Sequence, residues 1–229
     1  MYRIALIADL HSNLLALEAV FKDMPEVDRM VCAGDVVGYG AEPNEVVGLL
    51  KSKGVHAVRG NHDKAAIDRD VSDLSSIAAE AALWTSRKLS RESLHYLSGL
   101  PTELRFKVGG SRIYAVHGSP RDPMNEYIRS DISNQALARI VEGVEADIIV
   151  VGHTHVPMKR MILGKLVVNP GGVGQPRDGD PKASYAVLTI EEDVKVEFRR
   201  VEYDVAAAAE KITSAGLPEE LASRLSLGW

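Results

Sequence analysis

Five times along this chain an apolar run stops at a short polar cluster. The clusters are Asp9-Leu10-His11, Gly34-Asp35, Gly60-Asn61-His62-Asp63, His117-Gly118 and Gly152-His153-Thr154-His155. In α/β proteins, ligand sites gather beyond the carboxyl ends of strands, so polar groups that follow buried strands can converge although sequence separates them. The histidines support that reading: five of the seven, at 11, 62, 117, 153 and 155, fall in these clusters, while His56 and His95 do not.

The spacing between runs sets the fold class. Ile4 to Ala8 is followed by a helical pattern from Leu14 to Lys22, and Met30 to Ala33 by one from Asn44 to Lys51, which predicts parallel strands with crossover helices. Asn13 stands at an N-cap position, and Leu14, Leu17 and Phe21 form one apolar face. After Val55 to Val58, two helical patterns, Leu74 to Leu89 and Arg91 to Leu97, come without an intervening strand and read as an inserted helical segment at about 71–100. Further strands are expected at Arg105 to Val108, Ile113 to His117, Ile148 to Val151, Lys165 to Val168, Tyr185 to Ile190 and Val194 to Val201. Helices are expected at Val205 to Ser214 and Glu219 to Leu225. The economical architecture is an α/β (α+β) chain, residues 1–229 as one unit, with a two-layered β core flanked by helices. No repeat or low-complexity linker divides it.

The formal net charge of -5 argues against an extended nucleic-acid surface, although bound cations can still capture a phosphate on an acidic protein. The apolar N-terminal run ends at Asp9, far short of the roughly 20 residues that cross a bilayer. With no membrane segment or signal and a single cysteine, Cys32, the expected location is the cytoplasm.

Carboxylates, one carboxamide oxygen and neutral imidazoles, with no thiolate in any cluster, suit divalent manganese, iron, zinc or nickel. Seven protein ligands exceed one tetrahedral ion but suffice for two ions that share an aspartate. The five clusters, in this order, resemble the calcineurin-like metallophosphoesterase family, in particular its small prokaryotic phosphodiesterase-type members; the likeness spans Asp9 to His155. It implies a four-layer fold, a β-sandwich with helices outside. It also implies one metal held by Asp9, His11, Asp35 and His155 and another by Asp35, Asn61, His117 and His153, so that Asp35 bridges two divalent ions, with Mn2+ favoured. Such a pair lowers the pKa of a shared water, making hydroxide available as nucleophile, and neutralises charge on phosphorus.

His62 is not needed as a ligand, and in the family it lies beside the phosphate, where it stabilises charge or protonates the leaving oxygen; Asp63 could orient it. Arg59 is a candidate phosphate contact from the resemblance to the serine/threonine phosphatase branch, with a plain surface arginine as the alternative. Asn13 could touch substrate or simply cap its helix. Arg177, in the glycine-rich stretch from Asn169, resembles a residue of a loop that borders the active site, against a plain strand connection. Cys32 reads as core, Trp84 as packing in the insertion, and Tyr39 as conceivably substrate-facing. The expected activity is hydrolysis of a small phosphate ester, a phosphodiester before a phosphomonoester or dinucleoside polyphosphate, with a nucleotide among the candidate substrates. A non-catalytic scaffold of the same fold is the rival. Oligomeric state is open.

Overall fold

The computed structural model describes residues 1–229. Strands are β1 Tyr2–Ile7, β2 Arg29–Cys32, β3 His56–Ala57, β4 Glu103–Val108, β5 Ser111–Val116, β6 Ile148–Val150, β7 Met158–Ile162, β8 Lys165–Asn169, β9 Ala183–Ile190 and β10 Val194–Val201. Helices are α1 Leu14–Asp23, α2 Pro43–Ser52, α3 Asn61–Asp68, α4 Ser76–Lys88, α5 Arg91–Ser98, α6 Asn134–Val141, α7 Val205–Ser214 and α8 Glu219–Leu227.

The strands form two five-stranded sheets, ordered β10-β9-β1-β2-β3 and β4-β5-β6-β8-β7. In the first, β1, β2 and β3 run parallel; in the second, β5, β6 and β8 do. Hairpin partners β9–β10, β4 and β7 add antiparallel edges.

Side chains alternate along each central strand, yet both faces are apolar because both are covered. Ile4 and Leu6 of β1 meet Ile113, Ile148, Val150 and Val168 in the layer between the sheets. Ile7 turns outward onto Leu17 and Val20 of α1 and Val46 and Leu50 of α2. On the far side Tyr114, Ile149 and Val167 receive Leu137 and Ile140 of α6. The result is helix, sheet, sheet, helix, the four-layer arrangement expected.

A satellite cluster joins α4, α7 and α8 around Tyr39, through Ala78, Ala81, Ile212, Leu221 and Leu225. Segment 71–100 folds as α4 and α5. Trp84 packs there as expected, its indole N–H donating to the Ala215 carbonyl.

Three elements were not anticipated. The Gly60-to-Asp63 cluster opens a helix, α3, in which Asp63 accepts from the Gly60 N–H as half of a capping box. The other two are α6, capped by Ser133, and the edge strand β7. No helix is long and apolar enough to cross a membrane.

Leu6 is fully buried between the sheets. Leu6→Ala should lower the free energy of unfolding by about 2–5 kcal/mol, the usual range for a core truncation, while Lys195→Ala on the exposed face of β10 should stay within about 0.5 kcal/mol. Urea titration of both variants checks the contrast, and equal losses would contradict the two-sheet core.

Candidate metal centre

Each cluster leaves the carboxyl end of a parallel strand or the short segment just beyond it. Asp9 and His11 follow β1, Asp35 follows β2, Asn61 and His62 open α3 after β3, His117 follows β5, and His153 and His155 follow β6. The two sheets present these ends on the same side. Backbone bonds then stitch the loops together: Asp9 N–H donates to Gly34, Gly152 to His117, and Gly174 to Asp9. His153 N–H donates to Asp9 Oδ1 at 3.1 Å, and His62 N–H to Asp35 Oδ1 at 2.9 Å.

The loops are bent hard. Asp9, His11, Asp35, His153 and His155 have φ of 53°, 45°, 51°, 68° and 59°. Left-handed backbone at a non-glycine residue costs of order 1–3 kcal/mol and persists only where the surroundings impose it. At Gly60 a Cβ would lie 2.1 Å from Asp35 Oδ1, so only glycine lets the strand β3 turn pass the carboxylate.

The ligand atoms fall into two sets, Asp9–His11–Asp35–His155 and Asp35–His117–His153, each within 4.8 Å of one another and all buried. Asp35 Oδ2 belongs to both: it lies 3.6 Å from His11 Nε2 and 3.3 Å from His117 Nε2. Asn61 Oδ1 joins the second set, 3.0 Å from His117 Nε2. Ring nitrogens converge at 3.1 Å between His11 and His155 and 3.0 Å between His117 and His153.

The second nitrogens are fixed from behind. His117 Nδ1 meets the Ala33 carbonyl at 2.8 Å and His155 Nδ1 the Gln175 carbonyl, the outer bonding that orients ligating imidazoles. Asn169, fully buried, steadies the His153–His155 loop by donating to the Gly152 carbonyl at 2.6 Å.

Electrostatics favour a cation. Burial pushes the Asp9 carboxyl up to about 7, with the His117 charge opposing and Asp35 adding to the rise. Burial acts likewise on Asp35, but the charges of His117 and His62 outweigh it and hold that carboxyl well below the usual range. Burial would lower His117, yet the Asp35 carboxylate raises it to about 9. Burial drives His11 and His155 well down and His153 to about 3. Neutral imidazoles around ionised carboxylate are ligands ready for metal, which replaces the proton shared by Asp35 and His117. Asp9 Oδ2 and Asp35 Oδ2 are buried without a hydrogen-bond partner. Buried charge of that kind is tolerated when it is paired or binds metal, so these residues fit a divalent ion.

Comparison with known proteins agrees. The family model for the calcineurin-like phosphoesterase superfamily domain matches residues 2–193. The chain belongs to that superfamily. A metallophosphoesterase from Sphaerobacter thermophilus superposes with a TM-score of 0.84 at 39% identity, covering 99% of this chain and 100% of that one. A protein from Pyrococcus horikoshii OT3 reaches 0.90 at 28% identity over 100% and 99%. A Methanocaldococcus jannaschii protein is 38% identical over 98% of both chains. Membership implies a hydrolase of phosphate esters with a divalent-metal site.

Around this phosphoesterase centre, two expectations need correction and one open choice is decided. Asp63 does not orient the His62 ring: its oxygens accept from Val37 N–H and Gly60 N–H, both at 2.9 Å, so it braces the backbone around Asp35 and α3. The Arg59 guanidinium donates to the carbonyls of Leu100 and Ser98 at the end of α5 instead of lining the cleft. Asn13 caps α1 by accepting from Ala16 N–H and spends its amide on Gly174 O and Tyr203 Oη.

Arg177 does reach the cleft, donating to Tyr39 Oη at 3.1 Å and Gln175 Oε1 at 3.2 Å. His62 is buried there too, with Nδ1 unpartnered. Its ring lies 4.9 Å from His11 and 4.5 Å from Tyr39. Tyr127, Asn125 and Arg224 also line this cleft; they sit in segments without a motif and were not anticipated.

Because the folded ligand set is formed and the unfolded one is not, metal should raise stability. At 100 times its Kd, a bound divalent ion contributes about 2.7 kcal/mol, or about 5–10 °C in Tm for a chain of this length. Calorimetry of chelated protein with and without Mn2+ checks this; identical transitions would count against the site.

Proposed function

We propose that this chain is a dinuclear metal-dependent phosphodiesterase, with Asp9, His11, Asp35 and His155 holding one divalent cation and Asp35, Asn61, His117 and His153 the other. The observation that carries the reading is Asp35 Oδ2, unpartnered and common to both sets. Bound there, two cations such as Mn2+, Fe2+, Zn2+ or Ni2+ would supply the Lewis acidity that acidifies water and offsets phosphoryl charge.

The protein's own groups supply the rest. His62 faces the cleft beside Asn61, where its imidazole can hold a proton for the departing oxygen. Burial lowers its pKa, opposed by Asp35; an anionic phosphoryl group brought against the ring would raise it again, so substrate and proton arrive together. The Arg177 guanidinium, 5.6 Å from the Tyr39 ring centre, offers donors to a non-bridging phosphate oxygen. The cleft holds about 500 Å³, a volume suited to a small ester. A small phosphodiester, with a nucleotide within that class, is therefore the substrate proposed, and no membrane or extended nucleic acid is required.

The bridge predicts unequal damage. Asp35→Asn should reduce metal content at both positions, from about two ions per chain to well below one, whereas Asn61→Ala should lose about one. Metal analysis after reconstitution decides, and equal single-ion losses in the two variants would refute the bridge.

The role of His62 is separable. A nitrophenolate departs with little help, while an alkoxide needs a proton as its bond to phosphorus breaks. His62→Ala should therefore keep its metals, slow an activated aryl diester modestly and slow an alkyl diester by ~100-fold or more. A common factor for both substrates would assign His62 to phosphoryl charge instead of the leaving group.

A further inference from the structure

The cleft contains one residue that neither the ligand frame nor the proposed proton transfer uses. Tyr127 lies on the connection between β5 and α6 and is 48% exposed, unusual for a large ring beside a buried centre. One face of its ring stacks on His153, with centroids 3.7 Å apart and planes 20° apart. His153 is itself immobilised: its N–H donates to Asp9 Oδ1, and its Nε2 meets the Asn125 carbonyl at 3.2 Å. A loop side chain is thus held against a fixed partner at the rim of the phosphate site; the Arg129 guanidinium, 6.0 Å from the ring centre, stands over it loosely enough to leave the ring half exposed.

The rest of the lining differs in kind. It includes Leu74 and Ser75, just before α4, and Arg224 of α8. Arg177 and His62 line the same cleft, the latter with Nδ1 unpartnered. The cleft therefore brings two groups able to bind an anion, His62 and Arg177, into the same lining as a half-exposed aromatic ring. Flat aromatic surfaces bind nucleobases without regard to sequence, because every base has a π-face.

We propose that Tyr127 is a specificity-determining residue that stacks the nucleobase of a nucleoside phosphodiester, so that the enzyme selects base-bearing esters over simple alkyl ones. The inference deepens the phosphodiesterase reading and rests on it for the reaction, but the stacking surface is measurable without turnover.

The test compares two ligands on Mn2+-loaded protein by calorimetry: adenosine 5′-monophosphate, which has phosphate and base, and inorganic phosphate, which has only the former. The parent should bind the nucleotide more tightly, and Tyr127→Ala should shrink that preference by about 5- to 100-fold, the range for losing one base–aromatic stack. Tyr127→Phe, which keeps the ring, should retain it. In parallel, the ratio of kcat/KM for the p-nitrophenyl ester of thymidine 5′-monophosphate to that for methyl p-nitrophenyl phosphate should fall in Tyr127→Ala through KM.

A parent without preference for the nucleotide, or a preference that Tyr127→Ala leaves intact, would overturn the proposal; so would equal losses on both ligands, which would mean that Tyr127 only shields His153. If neither diester is hydrolysed yet the binding preference collapses in Tyr127→Ala, the stacking role stands and the diesterase reading falls.

Discussion

Two carboxylates, Asp9 and Asp35, are removed from water within one group of imidazoles, and most other features of the site serve that arrangement. An isolated buried carboxylate costs several kcal/mol. Here the cost is distributed: Asp9 Oδ1 takes the His153 N–H and lies 3.6 Å from His155 Nε2, while Asp35 Oδ1 takes the His62 N–H and leaves Oδ2 to face His11 and His117. The β-sandwich makes this affordable, because two sets of parallel strands end on the same side and bring five loops together without a long excursion by any of them. Asp63 and Asn169 hold the loops rather than the reactants.

Most of the centre was legible because ligand residues must be specific types at strand ends, and apolar runs mark those ends. Six of the seven expected ligands meet in two buried sets, and Asn61, the seventh, stands alongside. The candidates that turn away from the cleft share a physical cause: competition from the backbone. Asp63, Arg59 and Asn13 are polar residues near a site, but each is claimed by main-chain groups that would otherwise go unpaired. The Gly60–Asn61–His62–Asp63 cluster resembles a loop until Asp63 is seen as the third helical residue closing onto Gly60. Strand β7 buries only Met158 and leaves Lys159 and Met161 exposed, so it lacks the apolar alternation of a half-buried strand; helix α6, at eight residues no shorter than the expected α5, was simply not anticipated.

The cleft beyond the ligands is assembled differently. Its walls come from α4, from α8 and from the connection carrying Asn125 and Tyr127; α8 lies past the residues that the family model covers. Tyr39 ties the two regimes together, its ring 4.4 Å from His11 while it also packs in the α4–α7–α8 cluster. The ligand frame thus lies within the residues that the family model covers, whereas part of the cleft wall comes from outside them.

The left-handed backbone at Asp9, His11, Asp35, His153 and His155 also bears on how such a chain evolves. Each of these positions holds a side chain that the local conformation disfavours and glycine or asparagine would relieve. Replacing a ligand by glycine or asparagine thus releases backbone strain as the reaction is lost. Selection for turnover must continually oppose that gradient. Where it relaxes, drift runs downhill toward an inert and sturdier β-sandwich, and the ligand set is the first thing to be erased.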